Sequence, residues 1–319
     1  MALTDMKVFD KYVAEATIET VAQQIEVFNA ASGGAITLST EGFTGDFVHE
    51  IMWKSVHAAQ RRVDRYAALA TATPTALAQI DETGVKVAGG FGPISWEPAQ
   101  LTYMQKNPAE AVEMASRNMS EAIIRDMLNA GVAAASAAFG NQAGANYDAT
   151  TAKLSHTALN SGHALFGDRS SAIVADVMDG ATYHFIIGLN LGNAQSLFNY
   201  GGVTVVELLG KRVIVTDAPA LFLDSTTDKR YVLGLVAGGI TVHNAGDLVT
   251  NTQVANGQTR ITATFQADYT FGINLKGYAW DVTNGGKSPT DAELATGTNW
   301  DMIATSIKDT AGVRIAGDA

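Results

Sequence analysis

The residues best suited to acid–base or metal chemistry near neutral pH are six histidines: His49, His57, His156, His163, His184 and His243. His156 and His163 stand seven apart in a predicted helix, with Asp168 just beyond, so the two rings can share a face. A metal centre or a working acid–base pair asks for tighter spacing, such as i,i+4, and for a third ligand. These histidines therefore read as packed or surface residues. A soluble α+β enzyme built on His156, His163 and Asp168 is the alternative. His49-Glu50 lacks the second histidine of a zinc-protease helix. The chain has no cysteine, which removes disulfides and thiolate metal sites.

Nucleotide and nucleophile signatures fail at identifiable positions. Gly286-Lys287-Ser288 ends like a phosphate loop, but Asp281 occupies the place of its first glycine. Gly89-Gly90-Phe91-Gly92 runs into Pro93 and a strand, where a pyrophosphate site needs a helix N-terminus. No Gly-x-Ser-x-Gly elbow occurs. Asp81-Glu82 lies beside Gly84 and reads as a solvated turn. No catalytic residue, metal or cofactor is expected.

Arg61-Arg62-Val63-Asp64-Arg65 concentrates positive charge in a chain whose formal net charge is -11. Three readings stand side by side. The cluster is a solvated helix face, or a patch in which arginine pairs bidentately with carboxylates of an identical neighbour, or a nucleic-acid contact. The third lacks interleaved aromatics. The acidic whole disfavours tight binding of phosphate over a broad surface.

The elements that must position these residues follow from periodicity. The start, Met1 to Lys7, has no signal-peptide pattern, and no run reaches the ~18 apolar residues of a membrane span, so a soluble chain is expected. Residues 1–53 read as an extended arm with short helices. One covers Thr17 to Ala31, with Ile18, Val21, Ile25 and Phe28 on a stripe ended by Ser32-Gly33-Gly34. Another is capped by Thr44 and presents Phe47, Ile51 and Met52. Residues 54–100 read as a long two-stranded excursion that cannot bury itself alone.

The clearest element is a helix from Pro108 to Phe139, with Asn107 at the N-cap and Glu110 at N3. Val112, Ala115, Met119, Ile123, Met127, Ala130 and Ala134 form its stripe. Beyond it, a helix from Ser155 carries Leu159, His163 and Phe166. Strands are predicted at Ala172–Asp176, Gly202–Leu208, Lys211–Thr216, Tyr231–Ala237 and Ile240–His243, with a helix over Met178–Leu191. Asn256-Gly257 is a hairpin turn joining Leu248–Ala255 to Thr259–Asp281. Trp300–Ile307 and Gly312–Ile315 finish the chain.

The order of these elements resembles the Hong Kong 97-type fold of tailed-phage major capsid proteins. Gly84-Val85-Lys86-Val87 leading to Gly92-Pro93-Ile94-Ser95-Trp96 is similar to the returning strand of that family's extended loop. Asn107-Pro108-Ala109-Glu110 is similar to the start of its spine helix. Leu165-Phe166-Gly167-Asp168-Arg169 resembles the opening of the axial domain. Gly210-Lys211-Arg212-Val213-Ile214-Val215-Thr216-Asp217 resembles a recurrent capsid strand, and Pro289 to Leu294 with Asn299-Trp300 a C-terminal stretch. The likeness spans most of the chain from residue 84 onward.

The resemblance implies an α+β fold with an N-terminal arm (1–53), an extended loop (54–100) and a peripheral domain with its spine helix (101–154). An axial domain (155–250), peripheral strands (251–286) and a C-terminal return to the axial domain (287–319) complete it. It implies a non-enzymatic subunit that self-assembles into hexamers and pentamers of an icosahedral shell around double-stranded DNA, in virions built in a bacterial cytoplasm. Portal, scaffolding or decoration proteins would be its partners, with no membrane. A cellular nanocompartment shell of the same fold is the other member of that class. The inter-subunit contacts expected are Arg61, Arg62, Arg65, Val85, Lys86, Val87, Phe91, Ile94 and Trp96.

Overall fold

The computed structural model describes residues 3–53, 60–71, 73–74, 76, 79–97, 108–189, 195–200, 203–208, 211–224, 228–256 and 259–318. The chain begins with a single helix, α1 (Leu3–Ser32). Val13, Thr17, Val21, Ile25 and Phe28 form its buried stripe, three or four residues apart. This corrects the expected arm of short helices: no glycine or proline interrupts residues 1–32, so nothing breaks the helix. Ile18 is exposed, and Thr17 takes the inward position, its hydroxyl donating to the Val13 carbonyl at 2.7 Å. Gly33 and Gly34, at φ 69° and 72°, end the helix.

Two sheets follow. One contains β1 (Ile36–Ser39), β2 (Phe47–Trp53), β3 (Gln79–Trp96), β11 (Ile240–Asn244), β12 (Val249–Ala255) and β13 (Thr262–Leu275). Its order is β1-β11-β13-β3-β2, with β12 on β13. The other contains β4 (Asn146–Lys153), β5 (Ile173–Met178), β6 (Gln195–Tyr200), β7 (Val203–Leu208), β8 (Lys211–Val215), β9 (Phe222–Leu223), β10 (Lys229–Val236) and β16 (Gly312–Asp318). It runs β4-β16-β10-β5-β8-β7-β6, with β9 on β10. A short ladder pairs β14 (Tyr278–Trp280) with β15 (Trp300–Met302).

The long helix α2 (Pro108–Gly140) shares one core with both sheets. Met119, Ile123, Met127, Ala130 and Ala134 are buried as the stripe predicted. At 1.5 Å per residue α2 is about 50 Å long. Its alanine-rich second half brings backbones close: a Cβ on Gly131 would lie 3.1 Å from Ile240 Cγ2. Val112–Gly140 is long and apolar enough for a bilayer, yet 67% of its most apolar window is buried inside the fold, as in a core helix. The Asn107 cap lies outside the described residues. On the far face of the second sheet, α3 (His156–His163) and α4 (Gly180–Leu189) cover Met178, Val213, Val232 and Ile315.

Several expectations change. Residues 47–53 are a strand paired with β3, so the helix capped by Thr44 does not form. Phe47 and Ile51, four apart, share a face in either geometry, and the partner strand decides. Residues 79–96 are not a free excursion, because β13 pairs along β3 from Val85 to Trp96. The run Thr259–Asp281 is broken by a turn at Lys276-Gly277, where Gly277 has φ 79°. Within Trp300–Ile307, Trp300–Met302 is a strand. Sheet membership changes over between β10 and β11, so Ile240–Asn244 belongs with β13 and not with the expected 155–250 unit. β4 pairs with β16 and leaves the 101–154 unit in the same way. The short helix α5 (Asp291–Leu294) is opened by a Thr290–Glu293 capping box.

Candidate assembly surface

The histidines do not converge. His163 Nε2 lies 2.7 Å from Asp176 Oδ1, both side chains buried between α3 and β5. Asp168 instead meets the Lys308 ammonium at the surface, which holds its carboxyl below the usual range. Both ring nitrogens of His156 are enclosed without a hydrogen-bond partner. His49 pairs with exposed Asp81 at 2.9 Å, and His243 lies 3.4 Å from Glu50. Among the described residues no three His, Asp or Glu side chains form a metal-binding group. The His156–His163–Asp168 constellation is therefore not assembled. Asp176, which pairs with His163, was missed because it sits thirteen residues away on a strand and carries no local signal.

The hairpin of β2 and β3 carries the other candidates, and they divide into two groups. Arg61, Arg62 and Arg65 lie in the segment 60–71, of which every residue is exposed. Val63, Tyr66 and Leu69 stand beside them with relative exposures of 69%, 92% and 107%. The Tyr66 amide donates to Asp64 Oδ1 at 2.9 Å, and the Arg65 guanidinium lies 5.9 Å from the Tyr66 ring centre. Among the described residues none of the three guanidiniums makes an ion pair. The segment is not helical, so the solvated-helix reading is removed.

The second group lies at the hairpin root. Val85 and Val87 are buried in the chain's own core and leave the set of inter-subunit contacts. The physical reason is the pairing with β13, which turns both side chains inward opposite Ile273 and Phe271. Lys86 is half-buried, its ammonium 5.7 Å from the Phe43 ring centre. Phe91 packs on Tyr269 with ring centres 5.5 Å apart. Ile94 is exposed. Trp96 ends β3, and its side chain lies outside the described set. Val249 on β12 and Ile261 are exposed apolar residues that sequence patterning did not single out, and Ile51, expected on a helix, is exposed on β2.

Glu82 is the largest departure from a solvated turn. It is 5% exposed within β3, and its carboxylate accepts from the Gly277 amide. Burial raises its pKa to about 7, a shift to which Glu50 adds. On the neighbouring strand, His243, with Nε2 3.4 Å away, holds the Glu50 carboxyl below its usual range.

A family model described as Gp13-like, major capsid protein 13-like, matches residues 5–314. The capsid asymmetric unit of cyanophage Pam1 is similar in structure, with a TM-score of 0.50 and 10% identity over 89% of this chain and 87% of that one. The capsid of Ralstonia phage GP4 aligns at a TM-score of 0.49 and 8% identity, covering 89% and 87%. The capsid of Myoviridae phage XM1 aligns at 0.48 and 12%, covering 89% and 90%. No curated protein matches.

Proposed function

This chain belongs to the Gp13-like family of major capsid proteins, and we propose that its copies join through the exposed hairpin tip around Arg61–Leu69. It is a structural protein of the virion capsid that associates with itself into a shell, and not an enzyme. Its fold is of the Hong Kong 97 type.

The observation that carries the proposal is the composition of residues 60–71: three arginines that make no ion pair among the described residues and three large apolar side chains, all exposed. A monomer gains nothing from presenting that patch to water, whereas a neighbour of net charge -11 offers carboxylates for the arginines and a surface for Val63, Tyr66 and Leu69. Aromatic and arginine side chains are the usual anchors of such contacts. Each subunit makes the contact head to tail, so it closes by rotation into hexamers and pentamers. The shell so formed encloses double-stranded DNA against an acidic wall that does not grip phosphate. Assembly takes place in the bacterial cytoplasm, with portal, scaffolding or decoration proteins as further partners. The expected division into arm, extended loop, peripheral and axial parts cuts across the first sheet, which joins β1 and β2 of the arm, β3 of the loop and β11 of the 155–250 unit.

The test is expression of the chain alone, followed by negative-stain microscopy and size exclusion. Shells, tubes or capsomer rings are expected, and a monomer at high concentration overturns the reading. Deletion of residues 60–76 should abolish assembly and leave a folded core. The deletion must stop there, because residues 79–96 supply Val85 and Val87 to that core. Shells from the shortened chain would remove the tip from the mechanism.

A further inference from the structure

The hairpin changes character at one cross-strand pair. Over Gln79–Val85 β3 is paired with β2, over Val85–Trp96 it is paired with β13, and the two ladders overlap at Val85. At Glu82, which faces Glu50 across β2, the β13 ladder has ended and the hairpin is two-stranded. Here the Glu82 carboxylate receives the amide of Gly277, the second residue of the Lys276-Gly277 turn into β14. Two acidic residues thus stand side by side where a projecting element leaves its support. One of them is buried.

The surroundings are sparse in compensating charge. His243 on β11, with Nε2 3.4 Å from Glu50, and Asn274 on β13 hold the Glu50 carboxyl below its usual range. Lys276, in the turn after β13, is the positive group acting on Glu82. Lys86, two positions after Gly84 on β3, is directed to the Phe43 ring. The Asn274 side-chain carbonyl is buried without a hydrogen-bond partner. An ionised Glu82 therefore confronts ionised Glu50 across a pair that tolerates opposite charges and is destabilised by like ones.

We infer that the Glu50–Glu82 pair is a proton-operated hinge lock at the hairpin root. With a proton on Glu82 the root is held against the Lys276-Gly277 turn. Without it, a buried carboxylate repels Glu50, and β2 with the lower part of β3 loosens from the sheet. The inference concerns the root and does not depend on what the tip docks against.

The direction follows from burial. Glu82 keeps its proton in the folded chain up to about pH 7, whereas an exposed glutamate releases it near 4.5. Root stability is thus greatest below the unfolded value and declines as pH rises through about 7. A shift of that size corresponds to roughly a 300-fold change in the closing equilibrium across its full range.

The test is amide hydrogen exchange on the full-length chain at pH 5.5 and pH 8, corrected for intrinsic rates, with peptides from α2 as internal reference. Protection across residues 47–53 should fall by ~10- to 100-fold relative to α2 at the higher pH. Glu82→Gln, which fixes the neutral form, should remain protected at both. A pH-independent wild type, or an unchanged dependence in Glu82→Gln, overturns the inference. Should Glu82→Gln fail to fold by circular dichroism, Glu50→Gln decides: removing the neighbouring charge should move the midpoint to lower pH, and an unmoved midpoint overturns the hinge.

Discussion

His163 Nε2 donates to Asp176 Oδ1 at 2.7 Å, across the seam between α3 and β5, with both groups withdrawn from water. A carboxylate only accepts, so the proton on the shared edge belongs to the imidazole. Gly234 lets β10 lie close to this ring, since a Cβ there would be 3.2 Å from His163 Nε2. The pair ties α3 to β5 of the second sheet with both side chains buried, which makes it an architectural contact.

Removing one partner strands the other. His163→Ala should destabilise the folded chain by about 3–5 kcal/mol, the usual cost of leaving a buried charge alone. His163→Ala combined with Asp176→Asn should recover part of that loss. Thermal or urea unfolding of the unassembled protein checks both. Equal stability of the single and double variants would show that the pair is not coupled.

The contrast between elements explains what the sequence revealed. α2 was legible because Met119, Ile123, Met127, Ala130 and Ala134 repeat at helical spacing, and all five are buried. Strands β5, β8, β10 and β11 were legible as short apolar runs. β2 was not, because Phe47 and Ile51 fit a helix and a strand equally, and its decisive partner begins at Gln79. Glu82 was misread for the same reason: its neighbours Glu50 and Gly277 are brought by pairing and not by sequence distance. Val85 and Val87 alternate correctly, but alternation does not say whether the apolar face meets a neighbour or the chain's own core. The tip arginines were legible as a cluster, since charge density needs no partner to be seen.

Charge reversal at the tip separates folding from assembly. Replacing Arg61, Arg62 and Arg65 together with Glu should change stability by less than about 1 kcal/mol, because all three are exposed and carry no ion pair among the described residues. Assembly should be lost, as read by sedimentation velocity. In the unmodified chain, assembly that depends on these arginines should also weaken with added salt, given a Debye length of ~8 Å at physiological ionic strength.

Trp300 and Trp280 meet edge to face with ring centres 4.9 Å apart, where β15 pairs with β14. Trp300 is fully buried, and its indole N–H donates to the Leu294 carbonyl at 3.1 Å, tying α5 to the ladder. Trp300→Ala should cost ~3–5 kcal/mol through the cavity it leaves. Trp300→Phe should cost less, about 1–3 kcal/mol, mostly because Leu294 O loses its donor. Denaturant midpoints at constant m-value distinguish the two.

The phenol of Tyr269, on β13, donates to Asp126 Oδ2 at 2.7 Å and fastens α2 to the first sheet. Burial pushes the Asp126 carboxyl above its usual range, and the hydrogen bond from Tyr269 partly restrains that rise. Tyr269→Phe removes the restraint, so the carboxyl should move higher still. A group whose folded pKa is raised contributes stability that is complete below its unfolded value and is lost as pH rises through the folded one. The variant should therefore lose little at pH 4, where Asp126 can hold a proton, and about 1–3 kcal/mol more at pH 8, where an ionised carboxylate stands without its donor. Urea unfolding at the two pH values measures the difference. An equal cost at both would mean that Tyr269 acts through packing against Phe91 alone.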